Sequence, residues 1–381
     1  MTRKKRDRTL SLLMAMMFSF ALSSLALVVP LVAMRAGYEA AQVGLLVALA
    51  AVTQIGTRLT MGWLMRKVAD KTLLVTSAML IALSGVLILL STTLLVFATS
   101  QLVQGAARAL FWTSSQTHAI RASSTSVKGL QRMNLAAGAG SLIGPACAGL
   151  LWSVSASLPL LVAAMVGCGA VVPAALLNRF PLFAPKVPSR DRSNRIVRRP
   201  GVRAACGMNA AAGAWRSLLD SYIPVVLSLA GQPAVVIGLL LTLANGSMLV
   251  GNAASSWIRV RGIRASFAAG LLCTGLGLAA TAPLATFTVA AAVALATSGL
   301  GAGILQTVGP AIAADTVGPE ERGDALALTG TYRAVALFLA PVGMAGMLAI
   351  APLAPSLILA GFLISSPATI ALRPPQKWRR A

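Results

Sequence analysis

The sequence predicts an all-helical membrane protein, with twelve spanning helices in two six-helix halves. Three observations carry that prediction. Apolar runs recur along the whole chain, each near the roughly 20 helical residues that cross a hydrocarbon core of about 30 Å. The chain is 57% hydrophobic and only 11% charged, with a mean hydropathy of +0.81, outside the balance of a globular domain. The basic residues that remain gather in alternate connections.

The runs follow in order. The first, 10–34, reads LSLLMAMMFSFALSSLALVVPLVAM, carries no charge and is too long for a signal peptide's apolar core, so it is expected to remain as a helix. The second (42–64) and third (73–94) are joined by a basic connection, and the fourth (96–118) carries Gln101, Gln104 and Arg108. The fifth (131–153) contains Pro145, and the sixth (157–178) is uncharged. The seventh (204–229) bears Arg216 and Asp220, and the eighth (234–257) bears Asn245 and Asn252. The ninth (265–285) is uncharged, the tenth (288–313) holds Gln306, the eleventh (325–348) holds Arg333, and the twelfth (352–372) closes the series.

Lysine and arginine number 32 against 9 acidic residues, a net charge of +23. Their placement argues for topology rather than nucleic-acid binding. RKKRDR at the N-terminus, Arg66, Lys67 and Lys71, then Arg121, Lys128 and Arg132, the run from Arg179 to Arg203, Arg259 to Arg264, Arg322 and the C-terminal KWRR all fall on one side of twelve spans. The positive-inside rule then places both termini in the cytoplasm of a cell membrane, with anionic lipid as the contact of the basic face. The connection 179–203 is basic and contains prolines; it is expected to be a cytoplasmic linker dividing an N-terminal half, 1–178, from a C-terminal half, 204–381.

Other classes lack their residues. Cys147, Cys168, Cys206 and Cys273 are scattered through apolar runs and read as small core residues, neither a disulfide framework nor a metal set. No phosphate-cradling loop of an ATP-driven pump occurs. The single histidine, His118, has no acidic neighbour along its span, so no catalytic cluster is expected.

The halves repeat a pattern: KGLQRMNLAAGAGSLIGPACAGLL from Lys128 and RGDALALTGTYRAVALFLAPVGMAG from Arg322 each pair a basic residue with glycine and reach a proline further on. Twelve spans, cytoplasmic termini and a basic middle loop resemble the major facilitator superfamily over essentially the whole chain. Within the fifth span, GSLIGPACAG resembles that superfamily's antiporter motif, with Gly140, Gly144, Pro145 and Gly149 matching and Ala148 replacing a glycine. The same residues could equally form a helix-packing face. GWLMRKVADKTLL resembles the signature loop, with Gly62, Leu64, Lys67 and Lys71 in place. Arg66 stands where the family has an acid, so the charge latch between halves is either lost or moved to Asp70. LVQGAARA resembles the family's Arg-x-x-Gln-Gly pattern in Gln104 and Gly105, with Gln101 in place of the arginine and Arg108 one turn on.

Ionisable residues at membrane depth are functional candidates. Arg108, Arg216, Asp220 and Arg333 fall at depth, while Arg58 and Asp315 lie near span ends and are discounted as snorkelling. On the seventh span Asn209, Gly213, Arg216 and Asp220 share one face, and Arg216 and Asp220 either pair structurally or exchange a proton. With Asn245 and Gln306 they outline a cavity, walled by Trp112, Trp215, Tyr222 and Tyr332. The resemblance implies a monomeric secondary transporter of a small organic solute, driven by a proton gradient with no bound cofactor, and the GSLIGPACAG match favours efflux. Alternatives are an importer or exchanger of a small organic anion or sugar, and, remotely, a membrane sensor that moves nothing.

Overall fold

The computed structural model describes residues 3–123, 126–182, 196–260, 262–318 and 321–369. It is helical almost throughout. The first half comprises α1 (Arg3–Arg35), α2 (Ala40–Lys67), α3 (Asp70–Leu90), α4 (Leu94–Ala122), α5 (Ser126–Val154), α6 (Leu158–Gly169) and α7 (Val171–Ala175). The second comprises α8 (Pro200–Ser221), α9 (Ile223–Leu229), α10 (Ala234–Val260), α11 (Ile263–Thr281), α12 (Thr288–Thr316), α13 (Arg322–Leu348) and α14 (Leu353–Ser365).

Ten helices among the described residues are long and apolar enough to cross a membrane. The other two expected spans differ for local reasons. The seventh is the pair α8 and α9, because Pro224 has no N–H to offer the carbonyl of Asp220 and the ladder breaks there. The twelfth is α14, a helix of 13 residues, beyond which the chain from 370 lies outside the described residues. Pro173 divides α6 from α7 in the same way as Pro224 divides the seventh span, since its missing N–H faces Gly169.

Tight turns join the spans. Between α1 and α2 the chain reverses at Gly37, with φ of +91°, a conformation that disfavours any side chain. α2 then starts with the Gln42 side-chain oxygen accepting the Glu39 N–H at 2.9 Å. One boundary expectation fails in an instructive way: the basic stretch ahead of the first apolar run is helical, so α1 begins at Arg3 and carries Asp7 into the bundle, 2% exposed.

Within the halves α1 packs on α5 and α6, α4 on α2 and α3, α12 on α10 and α11, and α13 on α8. Two helix pairs, α5 with α10 and α2 with α13, form the main contact between halves. The face of the bundle where α1 begins is called the terminus face, and the opposite one the far face. Contact between halves is tight toward the far face. Gly44 on α2 lies against the Tyr222 ring, Gly149 on α5 against the Ala234 backbone, and Gly238 on α10 against the Pro145 carbonyl. The Thr242 hydroxyl donates to the Leu142 carbonyl at 2.9 Å across the same seam.

Candidate functional site

The polar residues of α4, α8, α10, α12 and α13 meet where the halves join. On α4 the spacing of Gln104 and Arg108 brings them onto one face, and Arg108 Nη2 donates to Gln104 Oε1 at 2.8 Å. On α8 Arg216 Nε donates to Asp220 Oδ2 at 3.0 Å, while its Nη1 donates to Asn245 Oδ1 of α10 at 2.7 Å. Asn245 is held in turn by its Nδ2, which donates to the Leu241 carbonyl at 2.9 Å. On α13 Arg333 Nη1 donates to Gln306 Oε1 of α12 at 2.8 Å. Gly213 permits this arrangement, because a Cβ there would come within 2.6 Å of the Arg333 carbonyl.

These pairs form one electrostatic unit. Arg108 of the first half acts on Asp220 and Arg216 of the second, and Arg333 acts on Arg216, Asp220 and Arg58. Arg58 corrects the sequence expectation that discounted it. It lies on the buried stripe of α2 with Gln54, Met61 and Met65, and its Nη1 faces Gly330 of α13 across the seam. The signal is present in the spacing of 54, 58, 61 and 65, which is helical, and nearness to a span end is the poorer guide. Arg108, Arg216 and Arg333 thus share one carboxylate, Asp220, and Arg58 adjoins Arg333. The Nε atoms of Arg58 and Arg108 are buried without a partner among the described residues, as is Gln101 Nε2.

Several expected wall residues stand elsewhere. Trp215 is 1% exposed and its indole N–H donates to Ser298 Oγ at 3.0 Å, so it fastens α8 to α12 and lines no cavity. Tyr222 is fully buried, with its hydroxyl donating to the Pro341 carbonyl at 3.2 Å and its ring against Gly44, which makes it part of the far-face seal. Tyr332 is 41% exposed, on the same face of α13 as Val335 and Leu339. Trp112 is half-buried at the edge of the main core, its ring at 67° to that of Phe111, which itself stacks on Phe18 of α1 at 3.9 Å. The α8 stripe also divides: Asn209 bonds its own helix at Ala205 and borders Gly309 of α12.

The motif residues have definite packing roles. Gly140 and Gly144 lie directly on the α1 backbone at Met16 and Phe20, and Ser24 Oγ donates to the Gly144 carbonyl at 3.1 Å. Pro145 and Gly149 meet α10 on the other side of α5. In the signature-like loop, Gly62 has open space around it, Leu64 borders a small cluster of Met61, Met65, Leu73 and Leu110, and Lys67 Nζ sits 4.6 Å over the exposed Trp63 ring. Asp70 is buried at the start of α3, where its Oδ1 accepts the Lys71 N–H at 2.8 Å.

Two expectations are overturned at this end. His118 does have acidic neighbours: Asp70 Oδ2 is 3.2 Å from Nδ1 and Asp7 Oδ2 is 3.2 Å from Nε2. The side chains described beside Asp70, His118 and Arg121, both lie on α4, within the first half. The cysteines are also not uniformly core residues, since Cys206 is buried whereas Cys168 is exposed.

Comparison with known proteins gives the fold a context. No curated protein matches in sequence. Among solved structures a point mutant of the nucleoside transporter NupG superposes with a TM-score of 0.80 at 12% identity, over 98% of this chain and 100% of that one. A POT family transporter in complex with a thioalcohol-conjugated peptide gives 0.76 at 13% identity, covering 96% and 95%. A bacterial homologue of the human lysosomal transporter Spinster, in an inward-facing and unoccupied conformation, gives 0.73 at 12%, covering 97% and 94%. The family model of the Major Facilitator Superfamily matches residues 11–341, and the chain therefore belongs to that superfamily of membrane transporters rather than to any class of enzymes.

Proposed function

We propose that this chain carries a small organic anion across a cell membrane by alternating access. The observation that supports the reading is the charge count at the junction of the halves: Arg58, Arg108, Arg216 and Arg333 against Asp220 alone, with two guanidinium Nε groups buried and unpartnered among the described residues. A buried cation lacking a counter-ion is costly, and a carboxylate or phosphate placed between Arg108 and Arg333 would supply the charge and an acceptor for the Arg108 Nε. The two arginines stand on different halves, so an anion held by both would favour their approach, which is what an occluded state requires.

The charge of the connections supports cytoplasmic termini, with the basic terminus face against anionic lipid. Closure at the far face then corresponds to a carrier open to the cytoplasm. A monomer suffices for this scheme, because each half supplies part of the site.

A second reading, proton-coupled efflux of a drug or metabolite, is favoured by one specific observation. The Arg216–Asp220 contact at 3.0 Å sets the one carboxylate described at the junction against an arginine on the same helix, a pair whose separation would expose Asp220 for proton exchange. The GSLIGPACAG segment points the same way through its resemblance to exporters.

The test is uptake and release in proteoliposomes with a panel of dicarboxylates, organic phosphates, aromatic carboxylates, amphipathic cations and sugars, and a pH dye inside. Transport of anions that falls about 10- to 100-fold in Arg108→Gln or Arg333→Gln, as expected for the loss of a charge-assisted bond, would support the first reading. Transport confined to cations, unaffected by either change, would sink it. Proton movement abolished in Asp220→Asn would add the coupling of the second reading, whereas proton movement that persists in that variant would remove Asp220 from the mechanism.

A further inference from the structure

We propose that Asp7, Asp70 and His118 form a proton-binding site at the terminus face of the first half, separate from the arginine-lined junction. α1, α3 and α4 bring together residues that are 48 and 111 positions apart. His118 is fully buried, each aspartate is 2% exposed, and each ring nitrogen lies 3.2 Å from a different carboxylate. A neutral imidazole offers one N–H and one lone pair, so it satisfies only one of two carboxylates. Both ring nitrogens donate, one to each carboxylate, only when the ring carries a second proton. With it, the imidazolium and Arg121, whose Nη1 is 3.7 Å from Asp70 Oδ2, balance the two carboxylates. Without it, a buried oxygen faces a nitrogen lone pair at hydrogen-bond distance, beyond the reach of water.

The charged groups facing His118 among the described residues are Asp7 from α1, Asp70 from α3 and Arg121 from its own helix. On its remaining side stands the Phe180 ring, at 5.0 Å. The two carboxylates differ in what else holds them. Asp70 keeps the Lys71 N–H at 2.8 Å and Arg121 whatever the state of the ring. Asp7 has its other bond to the Asn178 N–H at 2.6 Å, at the point where the sixth span leaves the bundle. Release of the proton therefore loosens the Asp7 side first. The occupancy of the site decides whether the opening turns of α1 and the exit of the sixth span stay docked on the first half. This inference needs neither the anion nor the coupling reading of the junction.

His118 is the only histidine in the chain, so full-length protein labelled with ¹⁵N-histidine gives one ring signal in detergent micelles. That signal is followed against pH together with hydrogen exchange of peptides covering 5–12 and 174–182, corrected for the intrinsic base-catalysed rate. The expected result is a ring protonated on both nitrogens at the low end of the pH series that passes to a single-proton form as pH rises. Over the same interval exchange in both segments should quicken about tenfold, as for the loss of one charge-assisted bond. Asp7→Asn should remove the pH dependence of exchange, and His118→Arg, a permanent cation, should keep both segments protected throughout. Three results would overturn the proposal: a ring that never changes its proton count while size exclusion shows folded protein, exchange that is equal on both sides of the change, or a titration left unmoved by Asp7→Asn. The wild-type titration decides by itself should either variant fail to fold.

Discussion

The two faces of the bundle draw on similar residues but hold together in different ways. Toward the far face one apolar core runs from the first half into the second, through Leu27, Val43 and Leu46, then Tyr222, Ile237 and Leu240. At the terminus face the second half closes on a core of its own, including Val202, Met208, Ile312 and Val317, and the first half has a separate cluster around Met61 and Leu110. Ion pairs follow the same division: His118 with Asp7 and Asp70 stays within the first half, and Arg199 with Glu321 within the second. Contact across the far face is made by close apolar packing, which is lost steeply once surfaces part. Charge at the terminus face organises each half internally. Such a division allows the halves to separate on one face without dismantling either, the mechanical requirement of rocking transport.

The largest test of this contrast is to break the far-face seal. In Gly238→Val a Cβ would collide with the Pro145 carbonyl, and backbone cannot swing aside as a side chain can. Overpacking of this kind costs about 1–3 kcal/mol, enough to shift the closed fraction by about 10- to 100-fold. Spin labels at Trp152 and Gln232, which line the far-face cavity, should then report a longer distance; an unchanged distance would mean the seam is not the gate.

Arg333→Ala should act at the junction and leave the seal alone. It removes the 2.8 Å bond to Gln306 and one proposed anion anchor, so binding of a transported anion should weaken about 10- to 100-fold, the worth of a charged hydrogen bond. The same far-face label pair should keep its wild-type distance. A smaller effect is expected for Thr242→Val, which deletes one neutral hydrogen bond across the seam, 2.9 Å long. About 1 kcal/mol corresponds to roughly a fivefold fall in the closed fraction by the same label pair. Smallest of all is Glu321→Gln, which weakens a partly exposed terminus-face pair at 2.9 Å. Surface pairs contribute about 0–1 kcal/mol, so thermal stability should barely move. A large loss there would contradict the view that each half stands by itself at that face.

What could be read ahead of the structure divides along similar lines. Spans and the family resemblance are properties of consecutive residues, and the helices and the family match agree with them. Helical spacing also places Arg108 beside Gln104 and Arg216 beside Asp220, because residues one turn apart meet whatever the tertiary arrangement. Spacing says nothing of where a helix face points. Trp215 and Tyr222 sit on the polar-looking seventh span and turn into packing.

Charge near span ends is where the sequence misleads most. Arg58, Asp7 and His118 all lie where a long side chain could reach water, and distance along the sequence offers no reason to connect them with anything. The fold supplies that reason by bringing α1, α3 and α4 to one point and α2 against α13. The sequence by itself determined that the chain enters a membrane and which residues share a helix face, because backbone hydrogen bonding in hydrocarbon forces helices and helices have a known period. Only the tertiary structure decided which faces meet, that Arg108, Arg216 and Arg333 share one carboxylate and that the single histidine sits between two aspartates. Those are contacts between elements far apart in the chain, set by how small residues such as Gly140 and Gly238 let helices approach, and no local pattern encodes them.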